Sequence, residues 1–319
     1  MTNAIECINI RRVFTSKTLL KKKREKVALE NLSFTVKAGT VFGLLGPNGA
    51  GKTTTVRILS TLLTPTAGQA KVFSFDVVSQ LSEVRKRIGL ILGGDRGFYG
   101  PLNGIDNLKY FAAISHLDRS NVKKRIDEVI ELVGLTAAGQ QPVNQYSRGM
   151  KQRLHVARGL LTDPQLLFMD EPTIGIDPAG AKELRDLIPK LVERGKTILL
   201  TTHYMQEADQ LCNQITLINE GRIVAEGTPS QIKKSFGKIS IIEVIVKWGA
   251  VDTVQKLAGI EGVNRVELSS DGVVQRLTIQ VIAGVEVKEK ISAVFGNDNI
   301  ESMISRDPTL EEAYLSIIQ

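Results

Sequence analysis

The chain has 319 residues, 42% hydrophobic and 24% charged, which is material for one large domain and a small one, or for two domains. No apolar run approaches the ~18–20 residues that span a bilayer, and Met1–Phe14 lacks the long apolar segment of a signal peptide, so any membrane role is expected to be peripheral. The net charge of +7 is unevenly placed: the block Lys21-Lys22-Lys23-Arg24, without interleaved aromatic residues, reads as a solvated loop rather than a nucleic-acid footprint.

Residues 5–14 alternate and predict a strand, Ile5-Glu6-Cys7-Ile8-Asn9-Ile10, ending near Phe14. Cys7 and Cys212 stand far apart without metal spacing and read as reduced cytosolic thiols packed as small hydrophobes. The stretch 17–26 is expected at a hairpin tip, with Val27–Val36 as the return strand and a turn at 37–40 leading into the buried strand Val41–Leu45. A helix is expected over 52–63, then a Pro65/Gly68 turn and a strand near 69–73. Residues 102–139 are helical in pattern, with apolar stripes along Asn103–Ile114 and Ser120–Leu132.

An alternation follows of helix 148–161, strand Leu166–Asp170, helix 178–194, strand Thr197–Thr201 and helix Met205–Cys212. Strand Gln214–Asn219 then turns at Glu220-Gly221 into Arg222–Ala225. Helices alternating with apolar strands predict an α/β fold, its sheet largely parallel and covered on both faces. Phe236-Gly237-Lys238 marks a boundary between a domain over 1–236 and a small α+β domain over 237–319. The tail reads strand 239–248, helix 250–258, strand 263–269, a Ser270-Asp271-Gly272 turn, strand 273–282, helix 285–295 and strand 299–305. A last helix, 309–318, opens on a Thr309/Glu312 capping box, so the tail is a βαββαβ arrangement plus a helix.

The most specific chemistry lies in Gly46-Pro47-Asn48-Gly49-Ala50-Gly51-Lys52-Thr53-Thr54, which fits G-x-x-x-x-G-K-[ST] between a strand and a helix. Glycines there let the backbone wrap closely, so that amides and the helix N-terminus point at phosphate oxygens. Lys52 is expected to reach the β- and γ-phosphates, and the Thr53 hydroxyl to hold Mg²⁺. The apolar strand Leu166–Met169 ends in Asp170 and Glu171. Asp170 would arrive beside the phosphate loop, where a metal-bound water needs an acceptor, and Glu171 at the exposed tip would orient or deprotonate an attacking water. Tyr146-Ser147-Arg148-Gly149-Met150 opens a helix carrying Lys151, Arg153 and Arg158, which makes either a second anion site or a plain N-cap. His203 is placed to donate to a γ-phosphate or to cap the next helix, and Asp177 before Pro178 equally suits a helix cap.

Taken in this order, the residues resemble the ATP-binding-cassette (ABC) ATPase family over residues 1 to about 236. The resemblance implies a nucleotide-binding α/β core with an antiparallel flank and a helical subdomain, here about residues 90–158. It implies ATP and Mg²⁺ as ligands, Phe14 as the aromatic on adenine, Gly46–Thr54 as the Walker A loop, and Ser147, Arg148, Gly149 and Met150 within the signature. Asp170 and Glu171 correspond to the Mg²⁺-site acid and the catalytic base, Asp177 to the loop crossing the dimer interface, and His203 to the γ-phosphate switch. Two such cassettes pair head to tail, as a homodimer or mixed pair, which accounts for two anion sites beside a single phosphate loop.

Two departures stand out. Arg148 and Met150 replace a glycine and a glutamine of the usual Leu-Ser-Gly-Gly-Gln signature. Gly93 or Gly94 stands where a Mg²⁺-contacting glutamine is usual, leaving the coordination to water or to Asp95. The tail resembles the C-terminal extension of cassettes that serve exporter-type permeases, and reads as a stabilising or dimer-strengthening module. The chain is therefore expected to be the ATPase subunit of an exporter with a separate integral-membrane permease, cytoplasmic and peripheral, with no nucleic-acid partner. The permease is expected to dock at Gly93–Leu108, where Phe98, Tyr99, Pro101 and Leu102 sit among glycines; the alternative is that Phe98 and Tyr99 tuck into the helical subdomain and the loop is inert. The alternative is a soluble ABC ATPase acting on ribosomes or nucleic acid, disfavoured by the single phosphate loop, the two cysteines and the lack of heptads.

Overall fold

Alternating side chains at the start of the chain form β1 (Asn3–Lys17) and β2 (Lys23–Lys37), a long antiparallel pair. The coordinates are a computed structural model that describes residues 2–17, 23–93, 97–235, 239–247, 250–270, 275–282, 284–296 and 299–318. Residues 18–22 of the expected hairpin tip, Lys21 and Lys22 included, lie outside the described residues, as do Phe236-Gly237-Lys238. The fully buried β3 (Val41–Leu45) leads through the phosphate loop into α1 (Lys52–Leu59). The helix expected to reach residue 63 stops at Leu59 because Thr61 turns with φ +64 and the amides of Leu62 and Leu63 both return to the Arg57 carbonyl.

Next come β4 (Ala67–Val72), the short β5 (Phe75–Asp76), α2 (Leu81–Arg85) and β6 (Ile88–Leu92). β4 pairs antiparallel with β1, and the first sheet runs β2-β1-β4-β5. Two helices follow, α3 (Gly104–Ile114), capped by Asn103, and α4 (Arg119–Leu132), capped by Asp118. Then come α5 (Arg148–Leu160), β7 (Leu166–Asp170), α6 (Pro178–Glu193), β8 (Thr197–Thr202), α7 (Met205–Leu211), β9 (Gln214–Asn219) and β10 (Arg222–Gly227).

The second sheet has six strands in the order β10-β9-β3-β8-β7-β6, parallel throughout except for β10. Every residue of β3, β7 and β8 is buried, as a parallel sheet covered on both faces requires. One core joins the inward residues of both sheets with α1: Ile5, Leu32 and Phe34 meet Ile58, Leu59, Phe42 and Phe168. The strand order has a direct consequence for chemistry. Leu45 pairs with Thr202 and Asp170 with Thr201, so the C-terminal ends of three adjacent strands open at one place.

Two compact units divide between Thr228 and Pro229, ahead of the boundary expected at residue 236. The reason is α8 (Pro229–Ser235), which packs on the chain's last helix. The second unit continues with β11 (Ile239–Val246), α9 (Ala250–Ala258), β12 (Val263–Ser270), β13 (Gln275–Ile282), α10 (Lys288–Phe295), β14 (Ile300–Arg306) and α11 (Leu310–Ile318). Its antiparallel sheet has the order β12-β13-β11-β14, with Ile242, Val244, Leu277 and Ile279 packed under Leu257 and Ile291. Among the described residues, no helix of either unit is long and apolar enough to cross a membrane.

α11 is fastened by a small ionic network. Arg306 grips Glu312 with two 2.8 Å bonds and reaches Glu243 at 2.9 Å. The Thr309 amide donates to Glu312 Oε2 at 2.7 Å while the Glu312 amide donates to Thr309 Oγ1 at 3.2 Å, a reciprocal capping box. Burial alone pushes the Glu312 carboxyl up, but hydrogen bonds from Arg306 and Thr309 outweigh it and hold the group below the usual carboxylate range. A depressed folded-state pKa gives stabilisation that is full above the ordinary carboxylate value and is lost as pH falls through the depressed one. Thermal melts of the second unit's transition should therefore drop on acidification from about pH 5 to pH 3. Glu312→Gln should flatten that drop, and Thr309→Ala should cost about 1 kcal/mol at neutral pH.

Candidate functional site

The loop between β3 and α1 turns where only glycine is comfortable. Gly46, Gly49 and Gly51 have φ of +156, +85 and +113. A side chain on Gly46 would place its first carbon 2.1 Å from the Ile218 carbonyl oxygen, and one on Gly51 would meet Leu29 at 2.5 Å. The close approach leaves Pro47, Asn48 and Gly49 exposed at the rim, with Ala50 buried beneath. Lys52 begins α1 and is almost wholly buried. Its ammonium donates to the carbonyls of Gly46 at 2.7 Å and Pro47 at 3.2 Å and lies 3.2 Å from Glu171 Oε1. Thr54 stands on the first turn of α1, half-buried.

Across from the loop, the end of β7 carries both carboxylates. Thr53 Oγ1 donates to Asp170 Oδ2 at 2.9 Å, and the Thr201 hydroxyl donates to Asp170 Oδ1. Glu171 leaves the strand in a left-handed conformation, φ +49, costing about 1–3 kcal/mol for such a residue. Its amide is held by the carbonyl of Thr201 at 3.0 Å and by that residue's hydroxyl at 3.1 Å. The Glu171 carboxylate therefore points back over the loop, between Lys52 on Oε1 and His203 Nδ1, 3.0 Å from Oε2. His203 does not cap α7, whose N-cap is Tyr204; its ring lies on the Tyr204 ring, centroids 4.1 Å apart.

The sequence did not single out Thr173, Thr201, Thr202 or Glu207. Thr173 and Glu207 join the two loops from below: the Thr173 hydroxyl donates to Glu207 Oε2 at 3.3 Å, and Glu207 is 5% exposed. Burial pushes its carboxyl up against the opposing hydrogen bonds from Thr202 and Thr173. The signal for the first pair was Thr201-Thr202, two hydroxyls closing the otherwise apolar Ile198-Leu199-Leu200.

The remaining candidates fall into a second group around the starts of α5 and α6. Ser147 is the N-cap of α5, accepting from the Met150 amide at 3.2 Å, and Asp177 caps α6 by accepting from the Gly180 amide at 3.1 Å, with Pro178 in the first turn. Arg148 donates to the Gly175 carbonyl at 3.2 Å. Gly149 packs so closely on Gly180 that an added Cβ would lie 3.1 Å from its Cα. Phe14, on β1, is 39% exposed, with the Arg12 guanidinium 4.7 Å above its ring.

One expectation about residues 93–108 changes, and another falls partly outside the described residues. Gly94 and Asp95 lie outside the described residues. Gly93 donates its amide to the Asp170 carbonyl at 2.9 Å, and a Cβ there would come within 2.5 Å of the Glu171 carbonyl oxygen. Phe98, expected at an exposed docking loop, instead packs on Phe111, His155 and Arg158. Tyr99 and Tyr110, by contrast, are exposed, and their hydroxyls meet at 3.1 Å.

Thr53 and Asp170 are hard oxygen donors 2.9 Å apart at the mouth of a loop that presents Lys52 and a helix N-terminus. That donor set fits Mg²⁺, which is held by one or two protein oxygens with phosphate and water completing the shell. Among the described residues, no cluster of three or more His, Cys, Asp or Glu forms an all-protein metal cage.

Known proteins resemble this chain at several levels. The model of the family described as "ABC transporter" matches residues 29–174. The "Daunorubicin resistance ATP-binding protein DrrA3" of Streptomyces coeruleorubidus is 40% identical over 311 residues, 93% of each chain. The "Linearmycin resistance ATP-binding protein LnrL" of Bacillus subtilis is 30% identical over 319 residues, covering 98% of this chain and 97% of its own. Among solved structures, CbiO1 from Clostridium perfringens superimposes with a TM-score of 0.63 at 22% identity, over 81% of this chain and 95% of its own. That last likeness bears on the fold alone.

Position 93 offers a test of the geometry. Gly93→Gln places a glutamine at one of the two positions, 93 or 94, where the family usually carries one, yet its Cβ meets backbone at 2.5 Å. The end of β6 must then move away from β7, disturbing Glu171. We expect ATP turnover to fall at least about tenfold and the melting temperature to drop, as overpacking costs about 1–3 kcal/mol. Unchanged or faster turnover would show that the close approach is unimportant.

Proposed function

We propose that this chain, which belongs to the ABC transporter family of ATPases, is the ATP-hydrolysing subunit of an exporter whose membrane-spanning subunit is a separate polypeptide. The observation that carries the reading is the convergence of Lys52, Thr53, Asp170, Glu171 and His203 at the ends of adjacent parallel strands. In this reading the amides of Gly46–Thr54 and the Lys52 ammonium hold the β- and γ-phosphates, while Phe14 stacks on adenine. Thr53 and Asp170 hold Mg²⁺, which supplies charge stabilisation when bound. Glu171 accepts the proton of a water whose oxygen attacks the γ-phosphorus as the bond to the ADP oxygen breaks. His203 orients that carboxylate and senses the γ-phosphate.

Ser147, Gly149 and Asp177 face a second cassette, so that each ATP lies between one copy's phosphate loop and the other's signature. Closure on ATP and reopening after hydrolysis would move the membrane subunit's helices from the cytoplasmic face. Relatives named for daunorubicin and linearmycin resistance support export. The second unit is assigned a stabilising or dimer-strengthening role. No observation favours the ribosome or nucleic-acid alternative.

Two experiments test this. Glu171→Gln is nearly isosteric and should leave folding and ATP affinity intact while turnover falls by ~10²–10⁴; an ATP-trapped dimer should then accumulate on gel filtration. Turnover within about threefold of the parent removes Glu171 from the role of base. The second experiment purifies a tagged chain from detergent-solubilised membranes beside the variant Tyr99→Asp/Leu102→Asp, which alters exposed residues of the expected docking loop. A multi-span protein should accompany the parent and be lost with the variant. Ribosomes or DNA, retained by both, would overturn the transporter reading.

A further inference from the structure

Phe14 enters the reading above as the platform for adenine, and the cation laid against it has no part in that reading. Arg12 pairs with Leu29, Val13 with Val27 and Phe14 with Lys26, so the extra residue of this irregularity, Ala28, belongs to β2. β1 keeps its alternation there, and Arg12 and Phe14, two residues apart, leave it on the same side. The Arg12 guanidinium carbon lies 4.7 Å from the centre of the Phe14 ring.

The guanidinium is held in that place. Arg12 Nη1 donates to the Thr64 carbonyl at 2.8 Å. The same segment is tied to β1 on either side of Arg12, the Val13 amide donating to Thr66 Oγ1 at 3.0 Å and the Thr66 amide to the Arg11 carbonyl at 2.8 Å. Arg12 Nε is buried and finds no hydrogen-bond acceptor among the described residues. A buried donor without an acceptor costs free energy, and the aromatic face is what offsets that cost here. One face of the Phe14 ring is therefore covered, while the residue as a whole is 39% exposed. A cation on one face draws the negative lobe of the ring toward itself and leaves the opposite face poorer in electrons. Such a face stacks well on an uncharged, electron-rich ring and poorly on a second cation.

We propose that Arg12 is a positioning residue for the nucleotide base: it covers one face of Phe14, leaves the other open, and so sets where and how well the base stacks. The proposal rests on the assignment of Phe14 to adenine above and adds the residue that makes the ring a one-sided platform. The effect of Arg12 reaches the ligand through Phe14 alone. A role confined to the bond with Thr64 would instead slacken the segment after α1 and act on the phosphate loop and the base together.

The test measures equilibrium binding of ADP and of pyrophosphate to the full chain; neither is consumed by the proposed reaction, and pyrophosphate lacks the base. Arg12→Gln should weaken ADP binding by about three- to tenfold, the range of a lost cation–π contact, and leave pyrophosphate binding within about twofold of the parent. Phe14→Ala should weaken ADP at least as much. Arg12→Gln added to Phe14→Ala should bring no further loss, the non-additivity of two residues that act through one another. A loss of ADP affinity below about threefold, an equal loss for pyrophosphate, or an effect of Arg12→Gln that persists beside Phe14→Ala overturns the proposal. Should Arg12→Gln not fold, Arg12→Met, which keeps an unbranched stem, decides by the same thresholds. ADP affinity unchanged by Phe14→Ala overturns the adenine assignment itself, which separates the two failures.

Discussion

The centre depends on one carboxylate with two hydroxyls. Asp170 accepts from Thr53 at the start of α1 and from Thr201 in β8, so a single side chain fastens the phosphate-loop helix and the neighbouring strand to the end of β7. The parallel strand order makes this possible, because it brings Leu45, Asp170 and Thr202 to the same edge. Asp170 is 8% exposed, and burying an ionised acid without such donors would cost several kcal/mol. The same bonds that relieve that cost define where a metal and a phosphate would sit.

Around this anchor the geometry is set by backbone as much as by side chains. Glu171 holds a left-handed conformation because Thr201 grips its amide with both carbonyl and hydroxyl. Its carbonyl is in turn approached so closely by Gly93 that no Cβ fits between. Gly46 similarly lies against the Ile218 carbonyl of β9. Each close approach transmits displacement directly, since packed backbone has little room to yield. A shift at the end of β6 must be felt at Glu171, one bond network from Lys52 and His203.

Much of this was legible in the sequence, for physical reasons. The phosphate loop announced itself because its glycines, its lysine and its hydroxyl serve different needs at fixed spacing, and Asp170-Glu171 stood out as acids ending an apolar run. The strands β3, β7 and β8 were recoverable because burial on both faces leaves continuous apolar residues. What escaped was set by tertiary contact. Thr201 and Glu207 are ordinary in sequence and acquire meaning only beside Asp170 and Thr173. Phe98 looked exposed because its neighbours are glycines, yet it found Phe111 of α3 and Arg158 of α5. The short α2 fell below the length at which periodicity can be read.

The second group of candidate residues explains itself by the bonds it makes within its own chain. Ser147 and Asp177 each satisfy an amide at the start of a helix, contributions of about 1 kcal/mol apiece. Such bonds fix the direction of each helix start. Arg148, one of the two residues that depart from the family's signature, ties α5 to the Gly175 carbonyl just before α6. With Gly149 packed on Gly180, the starts of the two helices meet as one surface. Arg148 therefore adds a tether between two helix starts that the Gly149–Gly180 approach already holds together.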